Sequence, residues 1–123
     1  MSYLLMQQRW FQVLFISALS IVTWTCLMPL DQPPLDIDHG DKLLHFLSYL
    51  TLGLLLERAA PRWFWPVGVF ALIAYSGVIE LAQEQTGYRT GSWGDMLANS
   101  SGVVASLLLR PLVIRLSLNT RTA

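Results

Sequence analysis

The residues that could do chemistry occur in three short stretches of the chain. In order along the sequence they are Asp41, Lys42, His45 and Tyr49; Glu80 and Gln83; and Arg89, Ser92, Asp95 and Asn99. Within each stretch most of these residues recur at steps of three or four, so they would share one face of an α-helix. Carboxylates beside a histidine can exchange protons, and lysine and arginine can bind phosphate. The sequence therefore predicts a polar site built from helices.

The stretch from Ser92 to Asp95 is typical of a helix start. The serine oxygen can accept a hydrogen bond from a first-turn amide, and an acid suits the positive end of the helix dipole. From there a stripe of polar and small residues continues along one face: Asp95, Asn99, Gly102 and Ser106. An earlier stripe has the same four-residue spacing: Asp41, His45, Tyr49 and Gly53. Such stripes indicate faces that pack against other helices.

The composition is that of a membrane protein. Hydrophobic residues make up 54% of the 123 residues and charged residues 13%, against roughly 25% charged in soluble proteins. The formal net charge is zero, so no basic surface indicates a nucleic-acid partner. The single cysteine, Cys26, cannot form a disulfide within the chain.

The apolar segments predict an all-α fold, a bundle of four transmembrane helices in one domain of residues 1–123. The spans are expected at about residues 10–28, 42–58, 63–83 and 95–114. The second span is short, so Glu57 and Arg58 are expected to reach the membrane surface at its end. In the fourth span, Arg110 is expected to reach the surface near Pro111. The first span is expected to be a mostly apolar packing helix.

The basic residues predict the orientation of the bundle. Six of the eight flank one side of the predicted membrane: Arg9, Arg58, Arg62, Arg110, Arg115 and Arg121. Only Lys42 and Arg89 lie on the other side. The positive-inside rule therefore places both termini in the cytoplasm and the three polar stretches at the outer face.

At that face the polar stretches are expected to converge into one cluster. The starts of the second and fourth helices would favour a phosphate there, helped by Lys42 and Arg89. The nearby acids could instead pair with these cations. Arg89 is expected to organise the cluster, binding either an anionic headgroup or the carboxylates of Glu80 and Asp95.

Several functions remain open from these residues. One is a non-catalytic module that binds a phosphate-bearing envelope lipid, one is an ion- or proton-handling protein, and one is a structural membrane partner. Catalysis is not favoured, because His45 with Asp41 could act as a base but no serine or cysteine nucleophile is suitably placed. Neither a metal nor another cofactor is expected, since the only other histidine, His39, lies outside the helix.

The ordered motif resembles the signature of the VanZ-like family of small bacterial membrane proteins. It runs Asp41-Lys42-x-x-His45-Phe46-x-x-Tyr49, then Glu80-x-x-Gln83, then Arg89-x-x-Ser92-x-x-Asp95-x-x-x-Asn99-x-x-Gly102. The resemblance implies four membrane helices in the bacterial cytoplasmic membrane. It also implies a link to teicoplanin resistance. The partners expected from the cations of the outer cluster are membrane lipids, among them an anionic lipid-linked envelope precursor. The acidic stretch Glu84–Tyr88 before the arginine departs from the family pattern.

Overall fold

The fold consists of long helices joined by short connections. A computed structural model describes the backbone of residues 3–29 and 39–122, and the side chains of residues 5–29 and 39–116. The helices are α1 (Tyr3–Leu27), α2 (Gly40–Ala59), α3 (Val69–Gln85) and α4 (Trp93–Thr122), and a short π-helical turn, Phe64–Gly68, leads into α3. The all-helical prediction is confirmed for these residues. The predicted acidic loop at residues 30–38 lies outside them.

Among the residues that the structure describes, three segments are long and apolar enough to cross a membrane. They are Leu5–Leu27, Phe64–Gln85 and Trp93–Leu116. The helix α2 is not among them, because it carries Asp41 and Lys42 at its start and Glu57 and Arg58 near its end. It packs most extensively against α4 and next against α1. These neighbours bury one side of α2, while Leu43 and Leu47 on another side remain exposed.

Two helices are longer than the predicted spans. The helix α1 begins at Tyr3 rather than near residue 10, and α4 continues through Pro111 to Thr122 rather than ending near residue 114. The prediction concerned only the membrane-crossing part of each helix, and the longer helices do not contradict it. A helix can continue into polar sequence beyond the hydrocarbon, and proline is tolerated in a transmembrane helix when neighbouring groups satisfy the freed carbonyl.

The closest helix contact joins α2 and α4 at two glycines. A methyl group on Gly102 would collide with the Phe46 carbonyl, and one on Gly53 would collide with the Ser106 side chain. Small residues let helix backbones approach this closely, and in lipid such packing replaces the hydrophobic effect as the source of association. The predicted stripe on α4 is therefore a packing face, and its four residues are all buried.

The end of the bundle away from the polar stretches holds a buried ion pair. Glu57 is only 4% exposed and lies with its Oε1 3.7 Å from Arg110 Nε. Arg110 also donates a hydrogen bond to the Pro61 carbonyl at 3.3 Å. The expectation that Glu57 reaches the membrane surface is thus wrong, because a partner on α4 lets the carboxylate remain inside. Arg58 instead places its guanidinium over the Phe11 ring, 4.9 Å from the centroid.

The helix α1 is tied to the other helices by polar contacts along its length. Gln8 and Gln12 both donate hydrogen bonds to the Ala59 carbonyl at the end of α2. The hydroxyls of Thr23 and Tyr75 form a hydrogen bond between α1 and α3. The helix is therefore less purely apolar than the sequence suggested, although its apolar side chains also pack against the core.

Candidate functional site

Four helix ends meet at one end of the bundle. Here α1 and α3 end, and α2 and α4 begin. The predicted helix start at Ser92 is confirmed, since its Oγ accepts a hydrogen bond from the Asp95 amide at 2.9 Å and its carbonyl accepts one from Met96 at 3.1 Å. The first turns of α2 and α4 therefore lie at the same level, and Ser92 caps one amide of the α4 turn.

A set of polar side chains fills the space between these ends and is called the polar cluster below. Its members are Lys42, His45, Glu80, Ser92, Asp95 and Asn99. Asn99 lies at its centre and is fully buried. Its Oδ1 lies 3.0 Å from His45 Nδ1, and its Nδ2 donates to Glu80 Oε1 at 3.4 Å. One amide thus links α2 to α3.

This network assigns the proton on His45. The Glu80 carboxylate accepts hydrogen bonds, so the Asn99 amide nitrogen faces it and the amide oxygen faces the histidine. His45 Nδ1 must then carry the hydrogen that Asn99 accepts. In the neutral ring this leaves a lone pair on Nε2, which lies 3.9 Å from Asp95 Oδ2. In a neutral ring, His45 Nε2 and Asp95 Oδ2 are therefore two hydrogen-bond acceptors with no hydrogen between them.

The carboxylates of the polar cluster are buried and held by several donors. Glu80 is 7% exposed, and its Oε2 accepts a hydrogen bond from the Ser92 amide at 3.1 Å. Asp95 is 8% exposed, and its Oδ1 lies 3.4 Å from Lys42 Nζ. The same Lys42 nitrogen lies 3.3 Å from Asp41 Oδ2. The lysine is thus shared between one buried and one exposed acid.

Three predicted site residues lie at the margin of the cluster. Asp41 is exposed; desolvation of its carboxyl is outweighed by hydrogen bonding from Lys42, so its pKa is lowered from the usual value. Gln83 donates instead to the Cys26 carbonyl at 2.8 Å and so caps α1. Tyr49 is fully buried one turn below His45, and its hydroxyl has no hydrogen-bond partner within the described part of the chain.

Arg89 does not make the predicted acid contacts. Within the residues that the structure describes, its guanidinium forms no ion pair, and its buried Nη1 has no hydrogen-bond acceptor. Glu80 instead accepts hydrogen bonds from the Ser92 backbone and the Asn99 side chain, and Asp95 is paired with Lys42 at 3.4 Å. Arg89 nevertheless lies close to this region, since Cys26 is within electrostatic range of Arg89, Glu80 and Asp95. The version of the prediction in which Arg89 binds these acids is therefore wrong.

A groove of about 800 Å³ opens between α3 and α4 beside the polar cluster. Its walls are mostly apolar and include Phe70, Ile73 and Met96. Its polar lining comes from Glu80, Glu84 and Ser92, two of which belong to the cluster. The groove thus joins an apolar surface to the charged end of the bundle.

Comparison with known proteins identifies the family of this chain. The model of the VanZ/LLP1 family matches residues 1–114. The chain belongs to the VanZ-like family. Searches of the curated proteins and of the solved structures found no match. The resemblance noted on residues 41–102 of this VanZ-like chain therefore extends over most of its length.

Sequence reasoning missed two parts of this VanZ-like site. It did not foresee the groove, because most of its lining residues are apolar and look like ordinary lipid-facing positions. It also set metal binding aside by counting histidines, although His45, Glu80 and Asp95 bring one potential ligand atom each to within 4.8 Å of the others. The available signal was the position of the two acids, since Glu80 lies near the end of α3 and Asp95 at the start of α4.

Proposed function

We propose that this VanZ-like protein binds the phosphate-bearing headgroup of an anionic membrane lipid beside the polar cluster, with the lipid chain in the groove between α3 and α4. The observation that carries the proposal is the buried Nη1 of Arg89, which has no acceptor among the described residues. A guanidinium stays charged at all relevant pH values, and leaving its donors unmet in a buried place is unfavourable. A phosphate oxygen supplies the missing acceptor.

The neighbouring cations and helix ends support the same ligand. Lys42 is already shared by Asp41 and Asp95, so Arg89 is the cation with donor capacity to spare in this region. The first-turn amides of α2 and α4 add positive dipole ends at the same level. An arginine also meets phosphate with two parallel hydrogen bonds, which a lysine cannot do.

The groove supports a lipid rather than a small soluble anion. Its volume of about 800 Å³ falls within the usual range of ligand sites, and its apolar walls suit a hydrocarbon chain. Glu80 and Ser92 line both the groove and the cluster. A ligand with an apolar chain and a polar end would therefore match both surfaces at once.

The orientation in the membrane is part of this proposal. The positive-inside rule places both termini in the bacterial cytoplasm and the polar cluster at the outer face of the inner membrane. The α2 helix would then be the fourth crossing, covered on one side by its neighbours. In this orientation the natural ligands include lipid-linked precursors of the cell envelope, and a role in teicoplanin resistance would follow only through such a precursor.

Labelling of engineered cysteines would test this topology. In a Cys26→Ser background, a cysteine at Thr90 is expected to react with a membrane-impermeant maleimide in intact cells, because it lies in the loop at the outer face. A cysteine at Ala60 should react only after the membrane is opened. Labelling of position 60 from outside would contradict the proposed orientation.

Native mass spectrometry would test the lipid binding. The full chain is mixed with phosphatidylglycerol, undecaprenyl phosphate or diacylglycerol, which lacks phosphate. We expect the two phosphate lipids to bind, and Arg89→Ala to weaken their binding by at least tenfold because a charge-assisted pair is lost. Arg89→Lys should lose nearly as much, since the forked geometry is lost with it.

The matched control is Arg62→Ala, which removes an exposed arginine at the opposite end of the bundle. Its binding of the phosphate lipids should equal that of the wild type. Equal binding of diacylglycerol and phosphatidylglycerol would overturn the proposal, as would wild-type affinity in Arg89→Ala. Selective binding of undecaprenyl phosphate would connect the protein to envelope precursors.

A further inference from the structure

We propose that His45, Glu80 and Asp95 together bind one divalent transition-metal ion. The three residues come from three different helices, α2, α3 and α4, and all are buried. This inference goes beyond lipid binding, since the metal is bound by side chains that the proposed headgroup contact does not use. It also replaces the expectation, drawn from the histidine count, that no metal binds.

The distances suit a metal site after a small adjustment. The three potential ligand atoms lie within 4.8 Å of one another, and His45 Nε2 is 3.9 Å from Asp95 Oδ2. Ligands at about 2.1 Å from a tetrahedral ion stand about 3.4 Å apart. Side-chain rotations that bring the most separated of these atoms about 1.4 Å closer would therefore complete the site without moving a helix.

The hydrogen bonds around His45 prepare it as a ligand. Asn99 accepts the Nδ1 hydrogen at 3.0 Å, so in a neutral ring Nε2 carries the lone pair, 3.9 Å from Asp95 Oδ2. Metal-binding histidines commonly have their other ring nitrogen held in this way, which fixes the tautomer and the ring orientation. Asn99 also holds Glu80 through its Nδ2. One buried amide thus positions two of the three ligands.

A second, independent observation comes from Asp95. This residue is about nine-tenths buried, yet its Oδ1 has no hydrogen-bond donor in the described part of the chain. Lys42 lies 3.4 Å away but is divided between two acids. A buried carboxylate oxygen with only a shared counter-charge is costly, and a metal ion held by both oxygens of Asp95 would stabilise it.

The surrounding charge also favours a cation. The acids that face this region are Asp41, Glu80, Glu84 and Asp95, and the cations are Lys42 and Arg89. Among these described residues, the acids outnumber Lys42 and Arg89 by two. A divalent ion would balance this excess, and it would also reduce the repulsion between the carboxylates and a bound phosphate.

The ligand set selects the class of metal. One imidazole nitrogen and two carboxylate oxygens suit Mn²⁺ or Zn²⁺, whereas Mg²⁺ and Ca²⁺ prefer oxygen ligands alone. Three protein ligands leave at least one coordination position open. That position can hold water or an oxygen of a phosphate group.

Binding of Mn²⁺ alone to the purified, tag-free chain in detergent would test the site. We expect one Mn²⁺ per chain by elemental analysis after dialysis, and a nitrogen coupling from histidine in pulsed electron paramagnetic resonance. The chain has only two histidines. A coupling that persists in His39→Gln therefore assigns the ligand to His45 without any change to the cluster. Absence of the coupling in the wild type would overturn the proposal.

Paired variants would test the two carboxylates. Asp95→Asn and Glu80→Gln keep the side-chain shape and should each weaken Mn²⁺ binding by at least tenfold. The matched control Glu84→Gln removes an exposed acid on α3 that is not a ligand and should lose far less Mn²⁺ affinity than the two cluster variants. Equal loss in the control and the cluster variants, or no loss in any of them, would overturn the metal site. Because no phosphate lipid is added, this result is separate from that of the lipid survey.

Discussion

Asn99→Asp is expected to destabilise the protein more than Asn99→Ala, although aspartate has the shape of asparagine. The amide donates to Glu80 Oε1 at 3.4 Å and accepts from His45. An aspartate would place a second negative charge against Glu80, a repulsion of about 5 kcal/mol at an effective dielectric constant of about 20. Alanine leaves two buried groups without a partner, at roughly 1–3 kcal/mol each. Aspartate adds the repulsion to the loss of the donor to Glu80, so its total is larger.

Unfolding in detergent micelles with a metal chelator present would measure both changes. The control is Ser101→Ala, two residues along the same helix at an exposed position, which should change the free energy of unfolding by less than about 0.5 kcal/mol. If Asn99→Asp were as stable as the wild type, Asn99 would not hold Glu80 in the way described.

The second large effect is expected at the other end of the bundle. Arg110→Met should lower the free energy of unfolding by about 3 kcal/mol, because Glu57 would remain buried without its counter-charge. Glu57→Gln should have a smaller effect, since it removes the buried charge rather than isolating it. The same unfolding measurement, made at neutral pH, would compare the two variants.

The double variant Glu57→Gln/Arg110→Met provides the decisive comparison. It should be more stable than Arg110→Met alone, since no charge is then left unpaired inside the protein. Additive losses from the two single changes would show instead that the residues act independently. The control is Arg58→Met, which removes a neighbouring arginine. Arg58 lies over the Phe11 ring, so its removal should leave the ion pair of Glu57 and Arg110 intact.

Much of the fold could be predicted from the pattern of small and polar residues. The stripe on α4 was visible because its residues recur at helical spacing inside an apolar segment, and all four are buried. The start of α4 was equally clear, because Ser92 has the chemistry of a cap and Asp95 follows in the first turn. Such local signals depend on neighbours in the sequence alone.

The partners of the charged residues could not be predicted in the same way. Glu57 was expected at the membrane surface, since its partner Arg110 lies 53 positions along the chain and their pairing depends on the register of α2 against α4. Arg89 was expected to bind acids that other donors occupy. In both cases the sequence showed which residues were charged, but the packing of the helices decided which charges meet.

Charged residues lie in two layers, the polar cluster at one end of the bundle and the Glu57–Arg110 pair at the other. The distance between these layers sets the membrane thickness that the protein matches. Along α4, Asp95 and Arg110 are fifteen residues apart, which is about 22 Å at roughly 1.5 Å per residue. The hydrocarbon core of a bilayer is about 30 Å thick. Two arrangements resolve this hydrophobic mismatch. Either the bilayer around the protein becomes thinner, or the layers of Asp95 and Arg110 lie below the headgroups, inside the bundle. The burial of Glu57 and Asp95 is what makes the second arrangement tolerable, so a thin bilayer should suit this protein better than a thick one.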